Sequence, residues 1–324
     1  MKKQLLIGTF VLLSKMISAQ DTSLPAPLPS TEMVFVSDTQ QPLFVEKILL
    51  KPNNNLTATA DIFSEILQRK PQSLYMLGDV VGLGYSNKKW RKVDKFLDSC
   101  RKININVSGI LGNHEVMIFK KKGERKFDKR FPTNVRTGYV SITDSVAVIL
   151  LNSNFAKLST TDQLKQREWY EHTLVALDTM MTIKIVIVTC HHAPYSNSKV
   201  VEGSALVQQY FVPGYIKSKK SQLFITGHAH AFEHFMIQGK DFLVIGGGGG
   251  LHQPLNSNTT NSIYDLSPDY KPMFHYLTVQ RIADKLLVTS HYLKENFSGF
   301  AAGHSFQTLP GTYARTSSTT NLSN

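Results

Sequence analysis

Five short apolar runs in this chain each end in a turn rich in carboxylate, amide or imidazole side chains, and that recurrence restricts the fold more than any other feature. Val34-Phe35-Val36 leads to Ser37-Asp38-Thr39-Gln40, and residues 74–77 lead to Gly78-Asp79. Val107 precedes Gly112-Asn113-His114-Glu115, residues 185–189 precede His191-His192, and residues 223–226 precede Gly227-His228-Ala229-His230. In an open α/β sheet the carboxyl ends of parallel strands share one edge, and the loops leaving that edge converge on a ligand crevice. A fold that aligns these runs therefore builds one polar site from five distant segments.

The intervening segments support such a fold. Residues 60–69 and 87–100 have the spacing of amphipathic helices, and residues 33–36, 73–77 and 103–107 that of short strands. Residues 139–151 read as two strands around Asp144-Ser145, 161–178 as an amphipathic helix, and 183–189 and 223–226 as buried strands. The runs at 235–238, 241–245, 275–279 and 285–292 have no helices between them, which predicts more antiparallel pairing in the second half. The expectation is an α/β protein with one compact domain over 33–293. The five glycines 246–250 suit a tight loop. From 294 onward Gly, Ser, Thr and Asn prevail without apolar periodicity, so 294–324 reads as a flexible tail.

The amino-terminal residues carry a different signal. Lys2 and Lys3, an apolar stretch over 5–13 and Ile17-Ser18-Ala19 before Gln20 have the form of an export signal over 1–19. The stretch is too short to span a bilayer, which takes roughly 20 apolar residues. A linker with three prolines then fills 20–32. The expected location is periplasmic or secreted. Loss of 1–19 removes Lys2, Lys3 and Lys15 and no acid, so the chain, at +12 overall, stays basic. A positive field concentrates anionic substrates such as phosphoesters. Lys120, Lys121, Lys122, Arg125, Lys126, Lys129 and Arg130 cluster, but no nucleic-acid-binding signature accompanies them, and they read as a solvated face. Only Cys100 and Cys190 occur, which excludes a disulfide-rich scaffold and fits two buried thiols, with a single bridge between them the alternative.

Residues two apart on an extended segment point the same way, so Asp38 with Gln40, and His228 with His230, can each face one site. Carboxylate, amide oxygen and imidazole together suit Zn, Mn or Fe. The ordered series Asp-x-Gln, Gly-Asp, Gly-Asn-His-Glu, His-x-Pro and Gly-His-Ala-His resembles the calcineurin-like metallophosphoesterases. Gln166-Arg167-Glu168-Trp169, His192-Ala193-Pro194-Tyr195 and the glycine run resemble their purple acid phosphatase branch most. The resemblance implies a four-layer αββα sandwich with two mixed β-sheets, the metallo-dependent phosphatase fold, α/β or in some schemes α+β. It also implies hydrolysis of phosphomonoesters or phosphodiesters with two divalent or mixed-valence ions that activate a water.

Carried over by position, Asp38, Asp79 and His230 hold the first ion with Gln40 as a further ligand. Asp79, Asn113, His192 and His228 hold the second, and Asp79 bridges. His114 is the expected contact to phosphate and proton donor to the leaving oxygen. Glu115 either orients His114 or caps a helix. Successive residues on an extended segment point oppositely, so one of His191 and His192 reaches the metals. The spacing to Pro194 selects His192 and leaves His191 as a supporting or packed residue. Glu233 and His234 are expected to support the ligand loop. Two departures stand out: Gln40 replaces a histidine common in the family, and Gly82 stands where the purple enzymes place a metal-binding tyrosine. They keep open a catalytically silent binding protein with the same fold, and a nucleic-acid-binding role is the weaker alternative.

Overall fold

Alternation along the strands decides how the layers stack. In β1 (Met33–Val36) the side chains of Met33 and Phe35 join one apolar layer and those of Val34 and Val36 another, as a period of two requires. A computed structural model describes residues 31–256 and 262–310. Residues 1–19, expected to be an export signal, most of the expected linker over 20–32 and residues 311–324 of the expected tail lie outside the described residues.

After β1 come α1 (Glu46–Leu49), α2 (Asn55–Arg69), β2 (Ser73–Met76), α3 (Asn87–Lys102), β3 (Asn106–Gly109), α4 (Asn113–Val116) and α5 (Lys120–Asp128). The middle of the chain forms β4 (Tyr139–Thr143), β5 (Val146–Leu150), α6 (Thr160–Thr179), β6 (Ile185–Thr189), α7 (Ala205–Tyr210), α8 (Val212–Lys217), β7 (Ser221–Thr226), β8 (Phe232–Ile237) and β9 (Lys240–Ile245). The chain then returns with β10 (His275–Ile282), β11 (Lys285–Leu293) and β12 (Phe300–Gln307). One sheet has the order β12-β11-β10-β1-β2-β3 and the other β4-β5-β6-β7-β9-β8. Parallel pairing joins β1, β2 and β3, and also β5, β6, β7 and β9, while β10 and β4 pair antiparallel to their neighbours.

Three apolar layers hold the two sheets and their helices together. Phe35, Tyr75, Val148, Ile187 and Leu277 meet between the sheets. Val34, Leu74, Ile62 and Trp90 fill the space beneath α2 and α3, and Ile149, Val188, Tyr170 and Tyr215 that beneath α6 and α8. This is the four-layer αββα sandwich with two mixed sheets. Cys100 and Cys190 are free and buried in opposite outer layers, too far into separate cores to bridge. No described helix is long and apolar enough to cross a membrane.

Two boundaries differ from the sequence reading. The third strand begins at Asn106, not Ile103, because the N–H groups of Ile103 and Ile105 both donate to the Cys100 carbonyl and wind the chain off α3. The segment from 294 is not wholly a tail: β12 pairs antiparallel with β11, and Val288 stands opposite Phe306. An edge strand is held largely by its backbone ladder, so its alternation of small and polar residues gave no apolar period to detect. The antiparallel expectation for the second half holds for β8 with β9 and for β10 to β12, yet β9 itself lies parallel to β7.

Candidate metal centre

The parallel strands of both sheets deliver their following loops to one end of the sandwich. Asp38 follows β1 with φ 60° and Asp79 follows β2 with φ 48°, conformations that turn each carboxylate inward at once. The two loops are joined by Asp38 N–H donating to the Gly78 carbonyl at 3.1 Å and Gln40 N–H to that of Asp79 at 3.0 Å. Glu115 then fixes the third loop. Its carboxylate accepts from the N–H groups of Asp79 (2.9 Å), Val81 (3.1 Å) and Gly112 (2.8 Å). Glu115 therefore braces the loops against each other and closes the start of α4, and it makes no bond to the His114 ring. Gly112 is required here, since a Cβ on it would stand 2.1 Å from Asp79 Oδ1. The glycine run completes the floor: Gly248 and Gly250 donate N–H to the carbonyls of Ser37 and Asp38, both at 2.9 Å, and a Cβ on Gly250 would meet the His230 ring at 2.4 Å.

Imidazole orientation gives the site its chemistry. His191 Nδ1 lies 2.9 Å from the Leu77 carbonyl and His230 Nδ1 2.8 Å from that of Leu251. A carbonyl only accepts, so each ring carries a proton on Nδ1 and turns its Nε2 inward. His191 Nε2 then faces Asn113 Oδ1 at 3.1 Å and Asp79 Oδ2 at 3.3 Å. His230 Nε2 faces Asp38 Oδ1 at 3.5 Å. With its amide nitrogen donating to the carbonyls of Asp79 (2.8 Å) and Asp38 (3.0 Å), Gln40 presents its oxygen to His230 Nε2 at 3.1 Å. Asp38 Oδ2 accepts from His228 N–H at 2.9 Å, while the buried Oδ1 has no hydrogen-bond partner among the described residues. Nitrogen and oxygen atoms gathered at such distances need a positive charge among them, a proton or a metal ion. Donors about 2.1 Å from a shared ion at right angles stand roughly 3 Å apart, which is the spacing seen.

The electrostatics point the same way. Burial disfavours charge on Asp79, but His191 and His114 beside it hold its carboxyl well below the usual carboxylate range. Burial likewise opposes charge on His191, yet Asp79 drives the ring up to about 10. Burial and the neighbouring His191 push His192 down to about 3, and burial with His192 depresses His228. The pocket thus demands positive charge between Asp79 and His191 and keeps its outer imidazoles neutral. Asp38, Asp79 and His191 present ligand atoms within 4.8 Å of one another, and so do His191, His192 and His228.

Most of the residues expected from the sequence meet here: Asp38, Gln40, Asp79, Asn113, His114, His192, His228 and His230. The reading of His191 needs correction, because its ring, fully buried, is the one that touches Asp79 and Asn113. Opposite pointing assumed an extended segment, but β6 ends at Thr189 and 191–192 lie in a bend that brings both rings to His228, at centroid distances of 5.1 and 4.4 Å. His192 Nδ1 pairs with Ser153 Oγ at 2.8 Å. Glu233 supports the loop beyond the histidines, accepting from Ser196 Oγ and Asn197 N–H, both at 2.7 Å. His234 does not support that loop; within β8 its ring binds Asp241 (2.8 Å) and His304 (3.0 Å).

Sequence reasoning missed Ser153 and Glu46. Ser153 sits in Asn152-Ser153-Asn154, a sixth polar turn after an apolar run, so the same signal was available. Gln166 of the helix motif holds that turn, its amide bonding both N–H and C=O of Asn152 at 2.9 Å. Glu46 of α1, 3.6 Å from His114 Nε2, had no local signal.

A family model described as calcineurin-like phosphoesterase matches residues 32–232. No curated protein matches the chain. Among solved structures, the chain is similar to purple acid phosphatase PPD1 from yellow lupin (Lupinus luteus) seeds, with TM-score 0.63 and 16% identity over 85% of this chain and 53% of that one. The chain thus spans about half the length of the lupin protein. It is also similar to GAP50, titled the anchor in the inner membrane complex of Plasmodium (TM-score 0.60, 12% identity, 86% and 88% covered). A third likeness is to a dimetal phosphatase from Danio rerio (TM-score 0.53, 13% identity, 87% and 99% covered).

Proposed function

Because the chain belongs to the calcineurin-like phosphoesterase family, we propose that it hydrolyses phosphomonoesters or phosphodiesters with two metal ions. Asp38, Gln40, Asp79 and His230 would hold one, and Asp79, Asn113, His191 and His228 the other, with His192 beside the second. The observation that carries this reading is the convergence of imidazole Nε2 atoms on buried carboxylates, one of whose oxygens has no hydrogen-bond partner among the described residues.

The donor set of carboxylate, amide oxygen and imidazole fits zinc, manganese or iron. When bound, two such ions polarise phosphoryl oxygens and lower the pKa of a coordinated water. The chain supplies the rest. His114 donates Nδ1–H to the Gly82 carbonyl at 3.1 Å, which fixes the ring and aims Nε2 at the mouth, beside Glu46 and Asp79. That nitrogen is placed to hold a proton for the leaving oxygen. Gly82, lacking a phenol, supplies no tyrosinate, so no tyrosinate-to-iron colour is expected. The export-type segment 1–19 supports a site of action outside the cytoplasm.

The test is turnover of a chromogenic phosphate ester with added Mn, Zn or Fe. Activity that a chelator abolishes and metal restores is expected, and undiminished activity in metal-stripped protein would sink the reading. A catalytically silent binding protein is the second reading, favoured by the neutral amide of Gln40 at the first ion, where imidazole would bind more tightly. Metal uptake without turnover on any phosphoester would favour it.

A further inference from the structure

Large apolar side chains lie exposed at the mouth of the candidate centre. Phe44, Val45 and Ile48 surround α1 and are 83, 59 and 70% exposed. Glu46 between them reaches to 3.6 Å from the His114 ring, so these side chains stand beside the proton-donor position. Met117, Ile118 and Phe119 follow α4 directly after His114-Glu115-Val116, and the last two are each 56% exposed. Phe119 packs edge-on against Tyr85 at 4.9 Å, and Gly84 N–H donates to the His114 carbonyl at 3.2 Å, which seats this second group at the same opening. Monomeric proteins seldom leave such residues clustered without a partner.

Phe119 also begins α5, and α5 carries the basic cluster. Gly123 and Phe127 are buried, while Lys121, Lys122, Arg125 and Lys129 are exposed and have no ion-pair partner among the described residues. Lys121, Arg125 and Lys129 are four apart, so they form one basic stripe, with Glu124 and Asp128 beside Lys121 and Arg125. A groove of about 390 Å³ between α2 and α3 repeats the combination: Phe63, Leu67 and Phe96 line it, Lys89 and Lys92 border it, and it extends to Gln41 and Gly82.

We propose that this mouth docks on an anionic phospholipid bilayer, so that the substrate is a phosphoester carried by a lipid. The substrate part rests on the reading of the site as a phosphoesterase; the docking part does not. Apolar tips that enter the acyl boundary, next to lysines that meet anionic headgroups, form the combination by which proteins without a spanning helix hold a membrane surface. A protein partner fits less well, since lysine is depleted where protein surfaces pair.

Because Cys100 and Cys190 are buried, an Ile118→Cys variant of the full chain takes an environment-sensitive dye at one position. Its emission is expected to shift to the blue with vesicles of phosphatidylglycerol and phosphatidylcholine but not with phosphatidylcholine alone, and to be quenched by a lipid-borne spin label. The combined variant Phe44→Ser, Ile48→Ser, Phe119→Ser is expected to lose at least about tenfold in turnover of phosphatidic acid presented in vesicles, with turnover of a water-soluble phosphate ester unchanged. No dye response to anionic vesicles, a response only to added protein, or equal loss on both esters overturns the proposal. If the unmodified chain cleaves neither ester, the phosphoesterase reading fails, and the dye response still decides docking.

Discussion

Single residues at the centre divide into those that hold charge and those that aim it. His191 and His192 are adjacent in sequence, yet only His191 has its Nδ1 pinned by the Leu77 carbonyl and its Nε2 set against Asp79 and Asn113. The expected outcome is that His191→Ala retains at most one ion per chain by metal analysis, whereas His192→Ala keeps both and loses affinity by about 10- to 100-fold. Equal metal loss in the two variants would return His192 to the role that its spacing to Pro194 suggested. For His114→Ala, kcat is expected to fall by about 10²- to 10⁴-fold with metal content unchanged, the range typical of a lost proton donor. These side chains were nameable from the sequence because chemistry requires their types, but the choice between two neighbouring histidines depended on a bend with no local signature.

At the scale of elements, the least legible parts are those held by pairing more than by burial. β12 carries no apolar period, yet it covers the edge of β11, and just beyond it Thr308 accepts from Leu286 N–H at 2.9 Å and donates to Gln222 of the other sheet at 2.5 Å. A chain ended after Leu293 is expected to show a lower urea midpoint and a tendency to aggregate through the bared strand, as read by denaturation and light scattering. On β10, His275 is fully buried with neither ring nitrogen hydrogen-bonded among the described residues. Burial, helped by His252 and Lys271, presses its pKa down to about 3. Since the folded value lies below the unfolded value of about 6.5, the unfolded chain binds the extra proton between those limits. The stability contributed by the neutral ring is therefore complete above about pH 6.5 and is lost as pH falls toward 3, by up to roughly 1.4 kcal/mol per unit. Melting curves of His275→Leu are expected to show a flatter acid limb than those of the unmodified chain across that window; parallel limbs would mean that other groups set it.

Across the whole molecule, the candidate centre ties the two sheets together, because Asp38 and Asp79 come from one and His191, His228 and His230 from the other. Ions that bind only this folded arrangement stabilise it, so chelation is expected to lower Tm and added Mn or Zn to restore it in a concentration-dependent way. A Tm indifferent to metal would mean that the loops are held by hydrogen bonds alone. How much of this was legible follows from the range of the forces involved. Strand and helix identity, the α/β rhythm and the list of polar turns are local: Val34-Phe35-Val36 before Asp38 and Leu223 to Thr226 before His228 state them within a few residues. Glu115 bonding to Asp79 and Val81, Leu251 setting the His230 tautomer and Glu46 reaching His114 join segments tens of residues apart in hydrogen-bonding or ionic contact. The sequence by itself determined which side chains are available and which strand ends they follow, since periodicity and residue chemistry are written locally. Only the tertiary structure decided which nitrogen faces which carboxylate, because that orientation is set by distant backbone carbonyls: Leu77 of the other sheet's loop for His191, and Leu251 after the glycine run for His230.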